Sequence, residues 1–345
     1  MTQKIDESYH FLDVLIRPAR STNVHLRDVI RGWWTTSRME FLPDAFVHIG
    51  LPLLLVLHHE PWSSKLLLLS FWGGVVWFMG HWVGSSINCL ADYPLDRLDT
   101  QHKARLAKAI DEAGMRSILL VNLAETLLAI VVSVWLAIQL NKPLLIIFWF
   151  TGLIIATLYS FEPVHFKRRN WLNPIALDLI VYAMPLFFIY HVLSPVWNGF
   201  DVAVLIIYCF QMVPMFLVDE VSDHDEDKAL GIYNPCVTYG RFKVSWLANS
   251  IYILACLASL IAYVTQTEIW SFTRLAMLAL AVLAYAWVAR EFVLLAKHSQ
   301  LIAEASNETE REKRNLALKN FSKTPAWLVG TSIGALLLAV AETFF

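Results

Sequence analysis

Two acidic stretches carry the residues whose types and spacing are suited to chemistry. The first holds Asn88, Asp92 and Asp96, with Asp99 three residues further on; the second holds Asp219, Asp223 and Asp227, interleaved with Glu220, Asp225 and Glu226. Polar groups four residues apart advance about 40° per step on a helix, so each trio falls along one face. Carboxylates stacked in this way repel one another, and a divalent cation is the simplest group to offset that repulsion. Oxygen-only ligands favour Mg²⁺ or Ca²⁺ over softer metals. Bases follow at once: Arg97, Lys103, Arg105 and Lys108 after the first stretch, Lys228 after the second. Acids that hold a metal beside bases that hold phosphate make a diphosphate site. The bland alternative is a pair of solvated, charge-mixed loops.

The elements that position these residues are long and apolar. Of the 345 residues 57% are hydrophobic and 16% charged. The apolar residues gather into nine runs, near 41–57, 66–88, 118–140, 143–161, 174–193, 202–218, 246–265, 275–296 and 326–345. Each has about 17–23 residues, enough to cross the hydrocarbon core of a bilayer. The acidic stretches terminate the second and sixth runs. Most of the 27 Lys and Arg lie in the N-terminal segment and in the loops after runs two, four, six and eight. The positive-inside rule then puts the N-terminus and both acidic stretches in the cytoplasm. Acidic residues so close to an anionic leaflet need a reason, which a bound cation supplies.

Residues 1–40 interleave Phe, Leu, Ile and Trp with arginines, the pattern of an amphipathic segment in the headgroup layer, and lack the short apolar core of a signal peptide. Pro94 is expected to kink or end the second helix, which makes Asp92 a safer member of its face than Asp96. The fourth run ends in Tyr159, Ser160, Pro163 and Lys167, which taken alone is ordinary interfacial chemistry. Glu125 and Asp178 lie inside spans and are expected to line a cavity or make interhelical hydrogen bonds. Residues 299–323 read as a surface helix or loop without chemistry. The four cysteines form no CxxC pair and read as buried thiols, and a net charge of −2 gives no reason to expect a nucleic-acid partner.

These residues resemble the UbiA-type superfamily of intramembrane prenyltransferases. Asn88, Asp92 and Asp96 match its NDxxDxxxD motif, with Cys89 in place of the first aspartate and Asp99 near enough to substitute. Asp223 and Asp227 match its DxxxD motif, and Lys228-Ala229-Leu230-Gly231 is similar to the run that follows it. Tyr159 to Lys167 resembles its Tyr-Ser-x-x-Pro-x-x-x-Lys segment. Glu226 stands where many members have glycine. The resemblance implies an all-α integral membrane fold, with nine transmembrane helices over residues 41–345 bundled around a central cavity. It implies Mg²⁺ held by Asp92, Asp96, Asp99, Asp219, Asp223 and Asp227. It further implies an isoprenyl diphosphate bound by Asn88, Lys103, Arg105, Tyr159, Lys167 and Lys228, and catalysis by Asp92, Asp96, Asp223 and Asp227.

The activity so implied is transfer of a polyprenyl group to a lipophilic acceptor, aromatic or quinone-precursor in character, within the lipid of the membrane. Two alternatives stand beside it. A terpene cyclase would ionise the same diphosphate without an acceptor, and the altered first motif leaves room for that. A cation transporter would use the acids as gates, though transporters place coupling charges near the midplane.

Overall fold

The computed structural model describes residues 24–97, 104–267 and 270–345. Its described residues are almost entirely helical. In chain order the helices are α1 (Leu26–Thr36), α2 (Ala45–His59), α3 (Ser64–Asp96), α4 (Ala104–Ala113), α5 (Met115–Leu140) and α6 (Leu144–Ser160). They continue with α7 (Leu172–Leu193), α8 (Gly199–Ala229), the short α9 (Pro235–Tyr239), α10 (Arg241–Gln266), α11 (Phe272–Ala303), α12 (Glu308–Phe321) and α13 (Thr324–Phe344). Among the described residues eight segments are long and apolar enough to cross a membrane, and the 17-residue α6 is a shorter ninth. At 1.5 Å per residue α6 spans about 25 Å, near the lower limit for a crossing. The protein is an integral membrane protein.

The helices form two compact units. One takes the chain up to Leu42 together with Val75–Phe166; the other takes Pro43–Gly74 and Lys167–Phe345.

In the first unit α5 shows how a span sorts its residues. Leu120, Leu123, Leu127, Val131 and Ile138 are exposed, as lipid-facing residues are, whereas Asn122, Glu125 and Ser133 are buried. Glu125 accepts a hydrogen bond from Trp33 Nε1 at 2.6 Å, so this intramembrane acid makes the interhelical bond expected of it. Trp33 belongs to α1, whose Leu26, Ile30 and Trp34 form an exposed apolar stripe at four-residue spacing. A helix lying in the headgroup layer presents such a stripe to lipid. Gly32 brings α1 against α4, because a Cβ at this position would overlap the Cβ of Ala113. Residues 1–23, the greater part of the amphipathic segment, lie outside the described residues.

In the second unit α13 lies on α11 through Gly330 and Gly334, where any Cβ would strike Trp287 and Tyr285. Small residues let membrane helices approach in this way. The span α7 is interrupted by a π-helical turn at Leu179–Ala183. Val181 O there accepts from His48 Nε2 at 2.7 Å. Residues 299–323 do more than fill a surface, since α12 lies within them and binds the second acidic stretch.

Candidate active site

The first acidic stretch stays helical throughout. Pro94 does not end α3, which runs on to Asp96, so Asn88, Asp92 and Asp96 share one helix at four-residue spacing. Pro94 forgoes its own bond to the Leu90 carbonyl, and a kink there carries only two further helical residues with it. Asp96 is buried and Asn88 and Asp92 are half-buried. Asn88 Oδ1 lies 3.5 Å from Ser160 Oγ at the end of α6, next to the buried Tyr159. This contact brings the tyrosine-serine segment to the first motif.

Cys89 points elsewhere. It is 1% exposed, its thiol lies 3.6 Å from Thr36 O of α1, and it belongs to a packed cluster with Leu90, Leu106, Ile110 and Ile118. The thiol is an anchor for α1, and it stays within electrostatic reach of Arg38, Asp92 and Asp96. Asp99 and Lys103 lie outside the described residues. Arg105 is described: its guanidinium is 3.4 Å from Glu40, which also takes Arg38 Nε at 2.8 Å. This Arg38–Glu40–Arg105 group, set beside the first motif by the α1 anchor, had no signal in residue spacing.

The acids of the second stretch sort by partner along α8. Asp225 and Glu226 turn to basic partners: Asp225 lies 3.4 Å from Arg241 and 3.3 Å from Arg311, and accepts from Asn315 Nδ2 at 2.7 Å. Glu226 pairs with Lys319. Arg311, Asn315 and Lys319 all belong to α12, so these two acids hold that helix in place. Glu226, at the position where the resembled family often has glycine, therefore has a packing role.

The remaining acids are Asp219, Glu220, Asp223 and Asp227; Glu226, about 20° from Asp219 around the helix, borders them. Asp219 is exposed and accepts from Thr324 Oγ1 at 2.7 Å. Glu220 is buried; its Oε1 accepts from Asn173 Nδ2 at 2.8 Å, and its Oε2 has no partner among the described residues. Asp227 is buried and accepts from Asn234 Nδ2 at 2.6 Å. Glu220 is the member that spacing by fours overlooked. Its separations of three and seven residues from Asp223 and Asp227 put it within about 60° of both, closer to Asp227 than Asp219 is.

Lys167 reaches this neighbourhood through its backbone. It lies in the 3₁₀ turn Phe166–Arg168, and the next residues, Arg169 and Asn170, are tied to Tyr233, with Asn170 N donating to Tyr233 O at 2.7 Å. Tyr233 precedes Asn234, the residue that holds Asp227. Lys228 is exposed in the last turn of α8. Burial, then the nearby charges of Glu220 and Asp227, push the Cys236 thiol of α9 above the ordinary range.

Among the described residues no three of His, Cys, Asp and Glu gather closely enough to hold a cation by themselves. Mg²⁺ needs no such group, since it takes one or two carboxylates and completes its shell with water and phosphate oxygens. The partnerless buried Oε2 of Glu220 fits the same chemistry.

A model of the UbiA prenyltransferase family matches residues 46–302, well over half of the sequence. The chain belongs to the UbiA prenyltransferase family. Solved structures agree with that membership at the level of fold. This UbiA family member is similar to a digeranylgeranylglyceryl phosphate synthase, with a TM-score of 0.53 and 18% identity over 90% of this chain and 99% of that one. It is similar also to a UbiA homolog from Archaeoglobus fulgidus bound to DMAPP and Mg²⁺, with a TM-score of 0.51 and 16% identity, covering 87% of this chain and 99% of that one. The same homolog bound to GPP and Mg²⁺ gives a TM-score of 0.53 at 15% identity, covering 88% and 99%. No curated protein matches by sequence.

Proposed function

We propose that this UbiA family protein transfers a polyprenyl group from an isoprenyl diphosphate to a lipophilic acceptor, aromatic or quinone-precursor, within the membrane. The observation that carries the reading is the pair of oxygen-only acidic faces, each on the end of a membrane-spanning helix. The residues assigned to Mg²⁺ are Asp92, Asp96 and Asp99 in one stretch and Asp219, Asp223 and Asp227 in the other, with Glu220 added and Asp219 the least buried. Bound Mg²⁺ supplies positive charge to the diphosphate oxygens as the allylic C–O bond breaks. The homologs with DMAPP or GPP and Mg²⁺ support this assignment.

The chain's own side chains do the rest of the work in this account. Lys103, Arg105, Lys167 and Lys228 offset the charge that grows on the departing diphosphate, while Asn88 and Tyr159 orient it. Asn234 and Asn173 fix Asp227 and Glu220 in single orientations. Aromatic and aliphatic side chains exclude water from the electrophile, so that it meets an acceptor before it is quenched by water.

In the same reading residues 1–40 form an interfacial segment, residues 41–345 form one membrane domain, and the N-terminus and both acidic stretches face the cytoplasm. The cyclase alternative drew on Cys89, and a thiol turned toward Thr36 gives it no support. The test is incubation of purified protein with Mg²⁺, a panel of isoprenyl diphosphates and candidate phenolic acceptors, followed by mass spectrometry. Prenylated acceptor is the expected product; a cyclic hydrocarbon or alcohol formed equally well without acceptor would overturn the transferase reading.

A further inference from the structure

Gly84 lies in the interior of α3, one turn before Asn88 and about 40° from it around the helix. Glycine is a poor helix former, so its place there calls for a reason. Packing supplies the reason at Gly80, one turn earlier, where a Cβ would come within 3.0 Å of the Trp149 ring. It supplies none at Gly84. Among the described residues, nothing beyond its own stretch of helix lies within 4 Å of a Cβ at this position.

The open space does not belong to lipid. Trp77, His81 and Asn88 all fall within about 60° of Gly84 around the helix, and Asp92 within about 80°. Trp77 is buried, and His81, Asn88 and Asp92 are half-buried. Polar groups of this kind inside a span turn to a cavity or to protein rather than to hydrocarbon. From Val75 to Asp96 no described residue of α3 is exposed.

Beyond the space stands an aromatic pair. Trp77 and His81 stack with ring centroids 5.4 Å apart and planes 14° from parallel. Counted inward from Asn88, the rise is about 6 Å to Gly84, about 10 Å to His81 and about 16 Å to Trp77. One side of α3 therefore carries, in order, the acidic motif, open space and stacked rings.

An isoprenyl diphosphate has a charged head and an apolar chain. With its head at the acidic end of α3, the chain gains by running inward, away from water, and Gly84 leaves room for it one turn in. We propose that the space before Gly84 takes the prenyl chain close to its reacting end, and that residue 84 sets which chain lengths the protein accepts. This inference rests on the diphosphate reading above.

Equilibrium dialysis of the full-length protein in detergent with Mg²⁺ tests it. The probes are inorganic diphosphate and the dimethylallyl, geranyl, farnesyl and geranylgeranyl diphosphates. Gly84→Leu should weaken the farnesyl and geranylgeranyl probes by about tenfold or more, the usual effect of filling an apolar pocket. Inorganic and dimethylallyl diphosphate should stay within about threefold of wild type. Gly84→Ala should fall between, and both variants should melt no lower than wild type, because the added atoms meet no protein. An unchanged chain-length preference in Gly84→Leu, an equal loss for every probe, or a lowered melting temperature in Gly84→Ala would overturn the proposal. Wild-type protein that binds none of the isoprenyl diphosphates would overturn the diphosphate reading as well.

Discussion

Asn234 donates its side-chain amide to Asp227 at 2.6 Å while its Oδ1 accepts the Val237 N–H at 2.8 Å. The second bond caps α9 and fixes which end of the amide faces Asp227. A carboxylate held in this manner presents its other oxygen in one direction, as the partners of metal-ligating groups commonly ensure. Asn234→Ala should therefore lower Mg²⁺-dependent turnover by about 10–100-fold, chiefly by raising the Mg²⁺ concentration needed. An unchanged Mg²⁺ requirement in a folded variant would reduce Asn234 to a helix cap.

Glu220 and Asp219 are adjacent in sequence but differ in setting, one buried beside Asn173 and the other exposed beside Thr324. Glu220→Gln should cost at least about a hundredfold in turnover, or roughly 2.7 kcal/mol of transition-state stabilisation. Asp219→Asn, at the least buried of the assigned ligands, should cost about tenfold. Steady-state kinetics of the two variants decide the matter, and the reverse order would mean that Asp219 rather than Glu220 is the stronger ligand.

Arg241 is 8% exposed and joins three partners, with Nε on Val221 O at 3.1 Å, Nη1 on Asn315 Oδ1 at 2.8 Å and Asp225 at 3.4 Å. Arg241→Ala leaves a partly buried carboxylate and a buried carbonyl short of a donor, at a cost of about 2–4 kcal/mol. The loss should appear as a lower melting temperature and earlier proteolysis within α12. A variant that melts with wild type would show that Arg311 and Lys319 hold α12 without it.

Gly32 is the close approach between α1 and α4. Gly32→Leu should lift α1 from its seat, at a cost of about 1–3 kcal/mol, and speed amide exchange in α1 while leaving α10 and α13 unchanged. Uniform exchange across the molecule would contradict a local role for this contact.

All four cysteines are buried, and the Cys236 thiol is pushed above its ordinary range, so it stays protonated at pH values where an exposed thiol ionises. The native protein should resist maleimide at pH 7–8 and react fully once denatured. With that low background, cysteines placed at Lys167, Lys228 and Lys142 report topology. The first two should label from the cytoplasmic side and the third from the other; labelling of Lys228 and Lys142 from one side would refute the nine-span arrangement.

The spans were legible in composition because lipid allows few polar residues and loops collect the charges. The acidic motifs were legible because spacing by fours is a helical face. Three features were not. Pro94 lies so near the end of α3 that only two helical residues follow it, and its spacing alone does not say whether they stay helical. The packing of Cys89 has no local signal, since nothing nearby in sequence says that its side chain meets Thr36, 53 residues away. That Asp225 and Glu226 are taken up by Arg311, Asn315 and Lys319 depends on α12. A run of mixed charge hides where its bases will land.

The central claim is that the two acidic faces bind the diphosphate through Mg²⁺ and drive its departure. The direct measurement is diphosphate release from an isoprenyl diphosphate by the purified protein, with Mg²⁺ or with chelator, in wild type, Asp92→Ala, Asp223→Ala and Asp227→Ala. Release should require Mg²⁺ and fall by about a thousandfold or more in each variant, the loss of roughly 4 kcal/mol or more. Release that persists in chelator, or full activity in Asp223→Ala and Asp227→Ala, would contradict the account.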